Sequence, residues 1–414
     1  MNTIQQVRKF PLFPIFFVSL LSGQLTAISL SRGVFVYLHD IVIVVMLCVY
    51  LVKKPTFLAL QHERVATAML IFILVGLGSL LANSYRYTTI ELFVSSLYLV
   101  RWVLYAGLYF LVADTFGFKQ KWLWGLYVYG LGLGFTGIIQ YVLYPDLRNL
   151  FYLGWDPHYY RLFSTLLDPN FTGLLLGLTL MLGIYLFPLR HRILMYASQC
   201  IVGSSVLLTF SRSSYIALVV GVMLWIALMK RWKLFIPLIL LSFVVVFIPR
   251  QPLEGWNLFR SVSSMARVNN LKENFTLFLQ SPIIGYGFNA IRFLRADPNN
   301  TQPTVISRSG AGIDNSFLFL LTTTGIVGAS TYLWLLYGMT KPVFALMKQE
   351  KMKSYAIMYL ISLAMILIHS MFTNSLFYPW VMIWLWILTA LVPISGTSRG
   401  GRSSSDFRLG RKRR

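Results

Sequence analysis

The sequence is poor in charge. Asp, Glu, Lys and Arg make up 12% of its 414 residues, against roughly 25% in an ordinary soluble domain. Acid is scarcest: 13 Asp and Glu stand against 36 Lys and Arg, a formal net charge of +23. A chain with so little charge cannot clothe an aqueous surface, so a soluble basic domain that binds nucleic acid is excluded. No nucleic-acid partner is expected. The two cysteines, Cys48 and Cys200, both lie in apolar runs, which excludes a disulfide scaffold and a cysteine metal site. There is no GxxxxGK[ST] phosphate loop, no HExxH and no DxD pair on a candidate outer loop. No metal site and no cofactor are expected. Disorder is excluded by an apolar content of 57%.

What the chain has instead is long apolar runs. A helix needs ~20 such residues to cross a bilayer core. Twelve runs qualify, at about 10–31, 34–52, 65–82, 90–112, 122–144, 165–187, 193–210, 213–229, 234–249, 313–340, 354–372 and 377–394. Many are apolar all round, as lipid-facing helices are, and twice the length of barrel strands. The expected fold is all-α: a polytopic membrane protein of about 12 transmembrane helices, residues 1–394 forming one transmembrane domain. Arg8 and Lys9 precede the first run as in a signal peptide, but no small-residue cleavage site follows, so the run reads as an uncleaved span.

Charge sets the orientation. With the N-terminus inside, inner segments carry 23 basic and four acidic residues, outer segments 12 and nine, and Arg101 lies within the fourth run. Both termini are therefore expected in the cytoplasm. The cations also differ in kind. Of the 12 outer ones, 11 are Arg and one is Lys272, whereas the inner face has 12 Lys and 11 Arg. Inner charges need only be positive. Guanidinium forms a planar fork that grips phosphate or carboxylate in two places. The outer bias reads as a phosphate-binding surface, with ion pairs to the nine outer acids as the alternative. The tail, 395–414, ends Arg411-Lys412-Arg413-Arg414 and is expected to be disordered and drawn to anionic inner-leaflet lipids.

Two outer segments are long, 145–164 and 250–312, and they form the expected active-site face. The first is rich in aromatics, including Trp155, Tyr159 and Tyr160. In the second, residues 262–280 read as an amphipathic helix with Met265, Val268, Leu271, Phe275 and Phe278 near one face. Ser281-Pro282 ends it, and Gly285-Tyr286-Gly287-Phe288 is a turn whose glycines allow unusual backbone angles or close approach.

Polar groups at membrane depth are functional suspects. Arg212, between Ser211 and Ser213 at the mouth of two runs, reads as an anion seat; a snorkelling interface arginine is the alternative. Arg161 precedes Asp168-Pro169-Asn170, where Asp168 suits an N-cap with Pro169 at the first helical position. Arg267 lies on the amphipathic helix, and Arg292, Arg295 and Arg308 share its loop, together forming an electropositive pocket. Asp314-Asn315 precedes Gly325-Ile326-Val327-Gly328; Asp314 is either an N-cap or a general base. His369 with Asn374, and His39 with Asp40, read as structural hydrogen-bonding pairs.

In order, Arg161 with Asp168-Pro169-Asn170, Ser211-Arg212-Ser213, Arg267 with the 282–288 turn, and Asp314-Asn315 with 325–328 resemble the O-antigen ligase and polymerase superfamily. The match covers about 160–330. The resemblance implies a metal-independent membrane glycosyltransferase on the outer face of the bacterial inner membrane. Its donor would be an undecaprenyl-diphosphate-linked glycan and its acceptor another glycan or lipid, with membrane lipids around it. It implies Arg212, Arg267 and Asp314 as catalytic residues. Arg161, Asn170, Ser211, Asn315, Gly285, Gly287, Arg292 and Arg308 would bind substrate. Ligases of this family typically have histidine where this chain has Asp314, so the resemblance favours polymerisation of repeat units. Transfer to lipid A core or another acceptor is the alternative, and a transporter of lipid-linked glycans is the rival from another class.

Overall fold

The computed structural model describes residues 12–31, 34–53, 63–115, 119–153, 155–187, 192–236, 261–294 and 312–393. Helices dominate: α1 (Leu12–Leu21), α2 (Leu38–Lys53), α3 (Glu63–Ala82), α4 (Thr89–Ala113), α5 (Lys119–Leu143), α6 (Pro169–Leu186), α7 (Arg192–Leu208), α8 (Arg212–Leu228), α9 (Ser261–Gln280), α10 (Ile291–Leu294), α11 (Ser316–Leu346), α12 (Glu350–His369) and α13 (Pro379–Ala390). Six of them, α3 to α6, α11 and α12, are long and apolar enough to cross a membrane, and α1, α2, α7, α8 and α13 are shorter apolar helices. The chain is an integral membrane protein. The expected count of twelve spans is not reached among the described residues; the ninth, 234–249, lies almost wholly outside them, as do most of 250–312 and the tail.

The start of the chain departs from the all-α expectation. Helix α1 stops at Leu21; the rest of the first expected span forms a turn and β1 (Ile28–Ser31), which pairs antiparallel with β2 (Val34–Val36) at the start of the second. Gly23 is the cause: its φ of +60° leaves the helical region, and a Cβ there would lie 2.8 Å from Thr165 Oγ1. The close contact locks this turn onto the 164–166 turn that precedes α6.

Small residues bring the central helices together, as in other membrane bundles. Gly173 of α6 faces Ser214 of α8, and Gly221 of α8 faces Met365 of α12, each too close for a methyl group. Helix α11 is interrupted at Gly325, whose φ of 67° and ψ of −169° are non-helical. The 282–287 segment fills the break: Tyr286 and Gly287 donate N–H groups to the Thr322 and Thr323 carbonyls, and Ile326 N donates to Pro282 O. Ser79 of α3 pins the joint by donating to both Ile284 O and Thr323 O, Asn83 Nδ2 donates to Gly285 O, and the Tyr87 hydroxyl donates to Tyr286 O. The expected helix ending at Ser281-Pro282 is α9. Its predicted stripe is divided, Leu271 and Phe278 being half-buried and the rest exposed. Asn274 is buried, with Leu271 and Leu277 half-buried, while Met265, Val268 and Phe275 are exposed.

Candidate functional site

The N-termini of α6, α8 and α11 and the C-terminus of α12 meet at one end of the bundle. Each N-terminus is capped by a side chain that the sequence places just before it. Asp168 accepts from the Asn170 and Phe171 N–H groups, with Pro169 at the first helical position as expected. Ser211 accepts from Ser214 N, and Asn315 accepts from Phe317 N and Leu318 N. The last result corrects the alternative for Asp314: the cap is Asn315, and the Asp314 carboxylate is not used for it.

Arg161 anchors the loop before α6. It is buried, its Nε donates to Thr209 O at 2.9 Å and its Nη2 to Phe210 O at 3.3 Å, and Leu162 N donates to Leu208 O. These acceptors close the C-terminal end of α7. Tyr160, Ser164, Leu167 and Phe210 around it all have positive φ, which is uncommon outside glycine and gathers where a surrounding structure imposes it. Arg161 thus holds the turn that presents Arg212. Burial pushes the nearby Asp168 carboxyl up to about 6; Asp156 adds to the rise, while the Asn170 and Phe171 N–H groups and Arg161 oppose it.

A buried polar chain crosses the site beneath Arg212. Ser211 Oγ donates to Asn170 Oδ1 at 2.9 Å, and Ser214 Oγ donates to Asn170 O at 2.8 Å. Ser213 Oγ lies 3.1 Å from His369 Nε2. The other ring nitrogen of His369 lies 2.6 Å from Ser375 Oγ and 2.8 Å from Thr373 Oγ1. His369 is fully buried, and its partner is this hydroxyl cluster rather than Asn374. Sequence reading paired it wrongly because α8 and α12 are distant in the chain.

Burial first, and then the like charge of Arg267 on α9, hold Arg212, at the first position of α8, below the ordinary arginine range. Among the described residues Arg267 makes no ion pair. One turn along α9, Asn270 was not anticipated from the sequence. Its Nδ2 donates to Gly312 O at 3.0 Å and its Oδ1 accepts from Asp314 N at 3.2 Å. Asn270 therefore fixes the Asp314 backbone to the helix that carries Arg267. Asn315 Nδ2 donates to Met371 O, tying the same segment to the end of α12. The Arg267 charge thus reaches Arg212, the Asp314–Asn315 segment is tied to α9 and to the end of α12, and Asn170 and Ser211 meet within the polar chain.

Three expected substrate contacts are placed elsewhere. Gly285 and Gly287 are buried in the joint with α11, and a Cβ on Gly285 would lie 2.6 Å from Thr324 N. Their backbone freedom serves the fold there. Arg292 of α10 faces α4, donating to the Tyr98 hydroxyl at 3.2 Å. Arg308 lies outside the described residues. In the aromatic segment, Arg148 is paired with Asp146 in an exposed bidentate bridge and stacks on Tyr159.

Residues 197–333 match the protein family described as O-antigen ligase. This match supports the resemblance to the O-antigen ligase and polymerase superfamily over that stretch of the chain. The matched stretch holds Ser211-Arg212, Arg267, the 282–287 joint and Asp314-Asn315, the elements that build the site. No curated protein matches the chain. The superfamily match and the apolar helices support a membrane enzyme of the O-antigen ligase and polymerase class, with lipid-linked glycan and acceptor substrates.

Proposed function

We propose that the protein is an extracytoplasmic membrane glycosyltransferase that polymerises undecaprenyl-diphosphate-linked repeat units. It would lie in the inner membrane with both termini cytoplasmic and the site end facing outward. The reading is supported by the electrostatic influence of Arg267 on Arg212, from separate parts of the chain, and by the Asn270 hydrogen bond that ties the Asp314 backbone to the helix carrying Arg267. Two guanidiniums at the N-terminus of a helix form a seat for a diphosphate, because the fork geometry and the helix end both favour an anion.

In this mechanism Arg212 and Arg267 hold the donor diphosphate and stabilise the charge that develops on it as it leaves. Asp314 accepts the proton of the acceptor sugar hydroxyl. That oxygen bonds to the anomeric carbon while the carbon–oxygen bond to the diphosphate breaks, its electron pair leaving with the lipid diphosphate. A single displacement inverts the anomeric configuration. Asn170 and Ser211 support Arg212 from below, Asn315 and Asn270 hold Asp314 in place, and no step calls for a metal.

The test is reconstitution of the full chain with undecaprenyl-diphosphate-linked repeat units alone. A ladder of longer lipid-linked glycans is expected. Product only when lipid A core or another acceptor is supplied makes the enzyme a ligase. Translocation of the substrate without a new glycosidic bond makes it a transporter and overturns the reading.

A further inference from the structure

His369, the last residue of α12, is fully buried at the site end of the bundle, and no step of the proposed reaction uses it. The direction of its hydrogen bonds is fixed by its neighbours. On one side the ring donates to the Asn170 carbonyl, a group that can only accept. Ser214 Oγ shares that carbonyl at 2.8 Å and lies 3.3 Å from Nε2, so the ring proton sits on Nε2. On the other side Ser375 Oγ and Thr373 Oγ1 lie 2.6 and 2.8 Å from Nδ1. Their backbone alternatives are longer: Thr373 O lies 3.4 Å from Ser375 Oγ, and His369 O lies 3.3 Å from Thr373 Oγ1. The hydroxyls therefore donate to the Nδ1 lone pair. Each ring nitrogen's partner agrees with the same neutral tautomer, Nε2–H.

That proton gives a hydroxyl chain its direction. The N–H also faces Ser213 Oγ at 3.1 Å, so Ser213 keeps its own proton for Ser211 Oγ at 3.2 Å. Ser211 donates onward to Asn170 Oδ1 at 2.9 Å. With its oxygen engaged, the Asn170 amide turns Nδ2 the other way. Asn170 is half-buried, and its Nδ2 is not enclosed and donates to no protein group among the described residues. The opposite tautomer reverses every link. Ser213 would donate to Nε2 and Ser211 to Ser213, and the Asn170 amide would flip to donate to Ser211, turning its oxygen toward the site.

We propose that His369 is a positioning residue: through Ser213 and Ser211 it fixes the Asn170 amide with its NH2 group toward the open side of the site. Beside Arg212 that group is a neutral donor to a diphosphate oxygen, whereas the flipped amide would set an oxygen against the same anion. The ligand rests on the diphosphate reading above; the tautomer and the amide orientation do not.

The experiment has two arms, both on the full chain in liposomes. Magic-angle-spinning NMR with isotope-labelled histidine, assigned by the signal lost in His369→Gln, reads the tautomer. A protonated Nε2 beside a bare Nδ1 is expected; a protonated Nδ1 overturns the proposal. Binding is read with inorganic pyrophosphate. Asn170→Ala and His369→Leu should each weaken it by about tenfold, as loss of one hydrogen bond to a charged group implies. Ser213→Ala, which leaves His369 in place, should do the same. His369→Gln, whose amide can place an N–H near the Nε2 position, should recover most of the affinity. In the variant carrying both His369→Leu and Asn170→Ala the losses should not add, because His369 acts only through Asn170. A loss of about a hundredfold in that double variant makes His369 purely structural and overturns the proposal, as does wild-type affinity in Ser213→Ala. If the wild type binds no pyrophosphate, the diphosphate reading fails, while the NMR arm still decides the tautomer.

Discussion

Replacing Gly325 with alanine should open the joint between the 282–287 segment and α11. Gly325 has φ +67° and ψ −169°, a region essentially reserved for glycine, and another residue there costs about 1–3 kcal/mol. The added methyl would also overlap the Ile283 carbonyl. The segment can escape only by giving up the bonds from Tyr286 N to Thr322 O at 3.0 Å and from Ile326 N to Pro282 O at 2.8 Å, each worth about 1 kcal/mol. Those bonds are lost on opening in the wild type as well, so the change in the ratio of closed to open joint is the strain alone, about 1–3 kcal/mol, or roughly five- to 150-fold at about 1.4 kcal/mol per decade. Hydrogen exchange read by mass spectrometry on peptides spanning 281–290 and 318–330 measures that ratio directly. Gly338→Ala is the control, since nothing lies within 4 Å of a Cβ there and alanine favours the helix. Wild-type exchange in Gly325→Ala would refute the claim that the glycine exists for this joint.

Three further outcomes follow from the site. Arg212→Ala should lower turnover by about 10²–10³, the usual effect of removing one donor to a developing anion, and Arg212→Lys should recover only part of it because Lys lacks the fork; full turnover in Arg212→Ala disproves the diphosphate role. Asp314→Asn should lower turnover by about 10²–10⁴ with lipid-diphosphate binding intact, since Asn315 keeps the cap; normal polymer from that variant leaves Asp314 only structural. Asp168 is held at about 6 against an ordinary 3.8, so the folded chain holds its proton more tightly than the unfolded one. Its contribution to stability is therefore fully present below pH 4 and falls as pH rises toward 6. Thermal midpoints of Asp168→Asn, which keeps a capping side chain, should be flatter across that window than those of the wild type.

Helical class, the α9 helix and the cap at Asp168 were legible in the sequence because each is set by residues within one turn of one another, whereas Ser211, read as part of an anion seat, turns out to cap α8. The first span was overextended because apolarity alone does not reveal that Gly23 meets Thr165, 142 positions away. The glycines at 285 and 287 look like ligand-binding glycines in sequence; only the break at Gly325 shows what they approach. Arg212, Arg267 and Asp314 could be singled out by residue type, but the fixing of Asp314 by Asn270 and the burial of His369 among serines depend on contacts between remote helices. Local chemistry writes itself into a sequence as spacing, and long-range satisfaction of polar groups does not.

The same distinction bears on why two arginines face one another. Arg212 carries its charge at the N-terminus of α8, where the helix adds partial positive charge, and Arg267 brings a second cation against it. In a ligand-free site this arrangement opposes folding, because like charges in a poorly solvated region repel more strongly than in water. A diphosphate adds attractions to both cations and to the helix end that outweigh these repulsions. Arg267→Gln should therefore leave the ligand-free protein as stable as the wild type or more so, while abolishing the rise in thermal midpoint that inorganic pyrophosphate produces in the wild type. A structural arginine behaves oppositely: its removal destabilises the ligand-free chain and leaves the pyrophosphate response intact. That result would assign Arg267 to the architecture and leave Arg212 alone at the site. The two signs are independent, so one melting experiment with and without pyrophosphate separates a residue kept for the fold from one kept, at some cost to stability, for the ligand.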